Sequence, residues 1–284
     1  MKAPLVSVIM SVYNSEKTLK SALDSIRAQT YENWELVVCD DASTDGTIEV
    51  LRQFCETVAP SRVIVLRNEE NKKLAFSLNR CLNAASGDLI ARMDADDVSE
   101  PDRLEQQVRY LASNPSVDLV GTAMRRFSAE GVGEVIPPVS LAPDRWALSS
   151  SSGVPFFHAT IMARSYVFSA LGNYTVSWRT ERGQDVDLWF KFFAAGLAGR
   201  NLPSPLYNVR EDAAAVRRRT AKARFGGFVT RIKGNWMLRY PARAYFTALF
   251  NLLKIVVPYR VFDWQRNLAR RRALRGSSPA EVQR

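Results

Sequence analysis

Over its first 125 residues this chain alternates short runs of Val, Ile and Leu with stretches whose apolar side chains recur every three to four positions. Continuous apolar runs are what strands buried on both faces require. Helical stretches between them supply the crossovers of a parallel sheet. The expected strands are residues 5–10, 34–39, 62–66, 88–93 and 118–124. Ser15 caps a first helix carrying Leu19, Ala22, Leu23 and Ile26, and Ser43, Thr44 and Asp45 cap a second carrying Ile48, Leu51 and Phe54. A third helix bears Leu74, Leu78, Cys81 and Leu82. A fourth starts near Pro101 and bears Leu104, Val108 and Leu111. The pattern predicts an α/β fold with a mostly parallel, Rossmann-like sheet flanked by helices.

Ligands of such sheets bind beyond the carboxyl ends of the strands. The segments there are residues 11–14, 40–45 and 94–97, and carboxylates crowd the last two. A GxGxxG turn does not follow the first strand, which disfavours an ordinary dinucleotide fold. Residues 125–180 read as loops and short strands facing an acceptor. A helix returns from Asp185 through Ala195 and stops at Gly196, and Pro203 and Pro205 frame a short extended segment.

The 284 residues, 46% hydrophobic and 24% charged, suit a globular domain with an appendage. Cys39, Cys55 and Cys81 lack CxxC spacing and read as buried thiols, against a disulfide framework or zinc site. The first apolar run is too short for a signal peptide. The uncharged stretch 146–163 is too polar to span a membrane. Charge divides the chain. Residues 1–209 hold 21 Lys+Arg against 25 Asp+Glu, and residues 210–284 hold 18 against 4. We therefore expect a domain over 1–210 and a basic, amphipathic helical tail over 211–284, which suits a polyanionic partner.

Asp94-Ala95-Asp96-Asp97 places three carboxylates just after a strand. Their mutual repulsion calls for a cation, and Mg2+ or Mn2+ suits hard oxygen ligands. A solvated loop with Asp97 or Ser99 capping the next helix is the plainer reading. Asp40-Asp41 can accept from a nucleotide base or ribose. Asp185 and Asp187 either complement a helix dipole or offer a general base at the mouth of a site.

Together these segments resemble the family 2 inverting glycosyltransferases, of the bacterial surface-polysaccharide type, which have the GT-A fold. The resemblance covers roughly residues 4–210. It rests on Val6-Ser7-Val8-Ile9-Met10-Ser11-Val12-Tyr13-Asn14, Asp40-Asp41-Ala42-Ser43-Thr44-Asp45, Leu78-Asn79, Ala85-Ser86-Gly87-Asp88, Ala91-Arg92-Met93-Asp94-Ala95-Asp96-Asp97, Pro101-Asp102-Arg103-Leu104 with Gln107, and Gln184-Asp185-Val186-Asp187-Leu188-Trp189. It implies that Ser11, Tyr13, Asp40, Asp41 and Asn79 hold the donor nucleotide and that Asp94 contacts its ribose side. Asp96 and Asp97 would bind Mg2+ or Mn2+ against the donor diphosphate. Asp185 would take the proton of an acceptor hydroxyl. The implied donor is a nucleotide diphosphate sugar, with uridine favoured, and the implied acceptor a lipid-linked or growing saccharide.

Three positions depart from the family pattern. Lys72-Lys73 stands where many members have a Gly; a lysine there could pair with a phosphate, and the favoured reading is solvated. Gln184 replaces a common Glu. Arg210 stands in a loop where many members have a His, and could contact phosphate. His158 reads as a packed, hydrogen-bonded histidine, and Trp189 as core. In the tail, Phe225, Phe228, Val229, Ile232 and Trp236 form an apolar stripe flanked by Lys222, Arg224, Arg231, Lys233 and Arg239. A helix over 244–259 would span roughly 24 Å, short of the ~30 Å hydrocarbon core. The tail is thus expected to lie on an anionic membrane, with Arg266, Arg270, Arg271, Arg272 and Arg275 meeting headgroups, or to dock on the domain. The expected location is cytoplasmic, at the inner face of the plasma membrane. A nucleotidyltransferase is a weaker alternative, lacking a Gly-rich phosphate loop. A nucleic-acid binder has no supporting motif, so no nucleic-acid partner is expected.

Overall fold

The computed structural model describes residues 3–128, 131–150, 153–211 and 220–253. Its strands are β1 (Val6–Val12), β2 (Trp34–Asp40), β3 (Val63–Arg67), β4 (Leu89–Arg92), β5 (Val98–Ser99), β6 (Leu119–Ser128), β7 (Gly131–Ile136), β8 (Met162–Arg164) and β9 (Gly199–Arg210). The helices are α1 (Leu19–Arg27), α2 (Thr47–Cys55), α3 (Leu74–Ala84), α4 (Arg103–Ser113), α5 (Ser165–Ala170), α6 (Gln184–Ala194), α7 (Ala221–Met237) and α8 (Ala242–Leu253). The strands form one sheet in the order β3-β2-β1-β4-β8-β6-β9-β5, and β7 pairs with β6.

Strands β1 to β4 are parallel, as the apolar runs require. Val6, Val8, Met10 and Val12 of β1 face a core shared with α1, α2 and α4. Ile9 faces a second core with α3, α5 and α6. This two-sided burial explains why β1 and β2 are mostly apolar, with the buried Ser7 and Glu35 hydrogen-bonded to each other. The chain runs outward through β1, β2 and β3, then returns to place β4 on the other side of β1. The order therefore reverses between β1 and β4, and a crevice opens at their carboxyl ends.

Two features of the sheet differ from expectation. Strand β8 inserts antiparallel between β4 and β6, so β6 does not pair with β4 directly. The segment framed by Pro203 and Pro205 belongs to a twelve-residue strand, β9, parallel to β6. Its register slips between Thr122 and Met124, opposite those prolines, where ladder N–H groups are missing.

The capping expectation for Ser15 is corrected. Helix α1 starts at Leu19 after Thr18, without a side-chain cap. The N–H of Ser15 instead donates to Thr47 Oγ1 at 2.8 Å, tying the loop after β1 to the start of α2. Asp45 does act near the start of α2, accepting from the Thr47 N–H at 3.1 Å.

Helix α7 packs on α6 with its small residues. Gly226, Thr230, Gly234 and Asn235 are buried, and a methyl group at Gly234 would sit 2.2 Å from the Phe190 ring. The expected apolar stripe points elsewhere: Phe225 is 47% and Trp236 78% exposed. Phe246 and Leu249 of α8 are also exposed. The expectations for Arg266, Arg270, Arg271, Arg272 and Arg275 lie outside the described residues.

Candidate active site

The loops after β1 and β2 are stitched together. Asn14 donates its N–H to Ser43 Oγ and accepts from the Thr44 N–H, both at 2.9 Å. Glu16 and Asp45 exchange a further pair: Glu16 N–H donates to Asp45, and Gly46 N–H donates to Glu16. Asn14 and Ala42 sit at positive φ, so these turns are held against backbone preference by the hydrogen bonds they make. This stitching brings Ser11 and the exposed Tyr13 to the crevice edge beside Asp40.

Asp40 and Asp41 are both buried and both serve the protein internally. Asp40 accepts from the Ser43 N–H at 3.1 Å and lies 3.2 Å from Arg67 Nε. Asp41 accepts from Asn68 Nδ2 at 2.6 Å and from the Lys72 and Lys73 N–H groups at 2.8 Å each. It thereby shapes the turn that launches α3. Asn79 is likewise occupied, donating to the Tyr174 carbonyl at 2.8 Å and accepting from its N–H at 2.9 Å. The amide clamps the segment before α6 and is spent there.

The acidic segment after β4 is assembled by buried side chains that sequence periodicity passed over. Arg92, the last residue of β4, forms a two-pronged ion pair with Asp94 and is almost fully buried. Arg103 of α4, also buried, donates to the Arg92 carbonyl at 2.7 Å, and its guanidinium lies 5.0 Å from the Tyr207 ring centre. The Tyr207 hydroxyl accepts from the Asp94 N–H at 3.0 Å. Asp97 accepts from the Arg210 N–H at 2.8 Å, and Arg210 Nε donates to the Asp96 carbonyl at 2.9 Å. Arg210 thus braces the acidic turn through its backbone, with its guanidinium over Phe127 at 4.5 Å.

One carboxylate oxygen each of Asp94, Asp96 and Asp97 falls within 4.8 Å of the others. Burial, reinforced by the Asp94 and Asp96 charges, pushes the Asp97 carboxyl up to about 7. Burial and the Asp94 charge also raise Asp96. Three hard oxygen donors under mutual repulsion fit a divalent cation of the Mg2+ or Mn2+ class.

Asp185 opens α6, with its Oδ1 accepting from the Val186 N–H at 2.8 Å. It lines a cavity of about 760 Å³ with Lys73, Leu74, Glu181, Arg182, Gly183, Gln184, Val186, Ala223 and Arg224. Tyr174 is buried and held by Asn79 and His158. Burial raises its hydroxyl, and the charges of both Asp185 and Asp94 act on it in the same direction. The charges of both carboxylates thus reach Tyr174, although 91 positions separate them in the chain. His158 Nε2 meets the Tyr174 hydroxyl at 2.8 Å, and its ring packs edge-on against Tyr174 and Trp189. Burial, then the Arg92 charge, holds His158 well below its ordinary value. It is the packed, neutral histidine expected. Trp189 is core as expected, though its indole nitrogen has no hydrogen-bond partner among the described residues. Asp187, in contrast to Asp185, is buried against Arg179 at 2.6 Å.

Sequence reasoning missed Arg92, Tyr174 and Tyr207 as organisers. The only local signal was an arginine inside an otherwise apolar strand.

A family model described as Glycosyl transferase family 2 matches residues 7–164. A Bacillus subtilis (strain 168) protein named as the glycosyltransferase EpsE is 40% identical over 262 residues, covering 92% of each chain. The Escherichia coli protein named UDP-Glc:alpha-D-GlcNAc-diphosphoundecaprenol beta-1,3-glucosyltransferase WfgD is 42% identical over 110 residues. That match covers 39% of this chain and 42% of WfgD. Among solved structures, the mannosyltransferase PcManGT of Pyrobaculum calidifontis, in complex with GDP-Man and Mn2+, superposes with a TM-score of 0.62 at 22% identity. It covers 95% of this chain and 81% of its own. The sheet and its flanking helices are those of the GT-A fold.

Proposed function

The chain belongs to glycosyl transferase family 2, and from that premise we propose that it moves a sugar, with inversion, from a nucleotide diphosphate donor to a hydroxyl of a lipid-linked or growing saccharide. The observation that carries this reading is the convergence of the Asp94, Asp96 and Asp97 carboxylates just beyond β4, with one oxygen of each within 4.8 Å of the others. A uridine donor and a diphosphate-linked lipid acceptor are supported by the name of WfgD. A bound divalent cation is supported by Mn2+ in the complex of PcManGT.

The residues divide the work. Ser11 and Tyr13 border the nucleotide side. Asp96 and Asp97 would hold Mg2+ or Mn2+, which when bound neutralises the charge gathering on the leaving diphosphate. Asp94, fixed by Arg92 and Tyr207, faces the donor ribose. Arg210 keeps the acidic turn in shape. Asp185 accepts the proton of the acceptor hydroxyl as its oxygen attacks the anomeric carbon from the face opposite the diphosphate. That single displacement uses one base and no covalent sugar–enzyme intermediate.

We place the enzyme at the inner face of the plasma membrane. In support, Phe225, Trp236, Met237, Phe246 and Leu249 are exposed on α7 and α8, beside the exposed Lys233, Arg239 and Arg243. Such a face suits a headgroup layer with anionic lipid. Among the described residues no helix is long and apolar enough to cross a membrane.

The test is a panel of nucleotide sugars with Mn2+, scored by nucleotide diphosphate release in the presence of membrane-extracted acceptors. Transfer from one donor, lost in both Asp96→Asn and Asp185→Asn, is the expected result. If no nucleotide sugar binds at any Mn2+ or Mg2+ level, the reading is wrong. Salt-sensitive sedimentation with anionic vesicles, reduced in a Trp236→Ser/Phe246→Ser double variant, tests the membrane face.

A further inference from the structure

Lys73 stands where its backbone costs most. Its φ of 73° and ψ of 164° lie in a region that only glycine occupies without strain. The turn is needed, because the Lys72 and Lys73 N–H groups both serve Asp41. A glycine would satisfy it, so the lysine side chain is retained against local preference. That side chain lines the Asp185 cavity, opposite Arg182 and Arg224. Among the described residues neither Lys73 nor Arg182 has a carboxylate partner. Glu181, the other acid in the cavity wall, is already matched with Lys222 at 3.4 Å. Lys73, Arg182 and a third cation, Arg224, thus line a space whose remaining carboxylate is the candidate base.

The cavity also touches an apolar surface. Val176 and Trp178 are exposed next to it, and Trp178 stacks on Phe225 of α7 at 5.9 Å between ring centres. Ala223 and Arg224, at the start of the same helix, belong to the cavity wall. A ligand with an anionic head and an apolar tail would find both partners within one stretch of wall.

We propose that Lys73, Arg182 and Arg224 form a subsite for the diphosphate of the acceptor, with Trp178 and Phe225 receiving the first part of its lipid chain. This rests on the transferase reading above and extends it to a named acceptor site. The subsite holds the acceptor sugar against Asp185 by gripping the group that follows it. It makes α7 a wall of the active site as well as a membrane-facing helix. The diphosphate of the donor has the same chemistry, so the test separates the two sources.

The full-length protein is first given saturating UDP and Mn2+ to fill the donor side, and nucleotide binding is followed by thermal shift. Geranyl diphosphate and geraniol are then titrated by calorimetry. We expect geranyl diphosphate to bind and geraniol to bind far more weakly. Affinity should fall about tenfold in Lys73→Met and again in Arg182→Gln, as expected for losing one charge-assisted contact each. Lys73→Arg should restore most of it, and UDP binding should be unchanged in all variants. Equal binding of geraniol, displacement of geranyl diphosphate by UDP with Mn2+, or wild-type affinity in both variants would overturn the subsite. Failure of every nucleotide to bind would instead overturn the transferase reading.

Discussion

Replacing Asp97 by Asn isolates the charge stress of the acidic turn. The unfolded chain releases the Asp97 proton near its ordinary value of 3.8, whereas the fold holds it to about 7. Between those values the native state carries a proton that the unfolded state has lost. Without metal, stability therefore falls as pH rises from about 4 to 7, and the loss is complete above 7. A shift of roughly three units at 1.36 kcal/mol each sets an upper bound of about 4 kcal/mol. Relaxation of the exposed Asp96 side chain would bring it to about 2 kcal/mol. Asparagine keeps the carbonyl that accepts from Arg210 and removes the charge. In urea titrations with EDTA, Asp97→Asn should match the wild type at pH 4 and exceed it by about 2–4 kcal/mol at pH 8. With Mn2+ at 100 times its dissociation constant the wild type should regain about 2.7 kcal/mol, and the variant much less. A difference between the two proteins that is the same at pH 4 and pH 8 would refute the account of an electrostatically stressed cation site.

Asp185→Asn should lower kcat by roughly 10²–10⁴-fold with an unchanged donor KM, measured by nucleotide release, since it removes the base and leaves the donor side intact. Gly234→Ala should lower stability by about 1–3 kcal/mol in denaturant melts, because the new methyl would meet the Phe190 ring at 2.2 Å. Lys73→Gly should raise stability by about 1–2 kcal/mol by relieving its backbone strain, while weakening geranyl diphosphate binding as Lys73→Met does. Arg92→Met should cost about 3–5 kcal/mol and impair Mn2+ binding, since it removes a buried partner of Asp94; calorimetric titration with Mn2+ checks this.

The first half of the fold was legible because its physics is local. Strands β1, β2 and β4 are buried on both faces and read as mostly apolar runs, β3 is a half-buried edge strand, and the helices between them bury one stripe each. Strand β8 was not legible. Its three residues are strand only because Ile90 and Ala91 lie on one side of them and Leu119 and Val120 on the other. The buried side of helix α7 was not legible for a different reason. Hydrophobic periodicity marks Phe225, Phe228, Val229, Ile232 and Trp236, a stripe expected on a membrane surface or docked on the domain, and leaves Phe225 and Trp236 exposed. The buried side is made by Gly234, which fits against the Phe190 ring of α6, and by Gly226 and Thr230, which lie against Arg179.

The candidate site shows the same division. Asp94, Asp96, Asp97 and Asp185 were legible because strand ends and helix starts are where an open sheet must present its chemistry. The residues that organise and surround them break local rules one by one. Arg92 is an arginine within a buried strand, Lys73 a lysine on glycine backbone, and Trp236 a tryptophan turned to solvent on the far side of a helix that buries glycines. A chain selected for stability alone would hold Met, Gly and a polar residue at those positions. Each exception has a separate physical consequence: Arg92 fixes a carboxylate, Lys73 brings a cation to the cavity wall, and Trp236 leaves a large apolar surface open to solvent. Of the three, only Lys73 lines the Asp185 cavity; Arg92 acts on the acidic turn and Trp236 lies outside the cavity wall. Residues that break local rules at a stability cost mark the places where a fold gives up stability for something else.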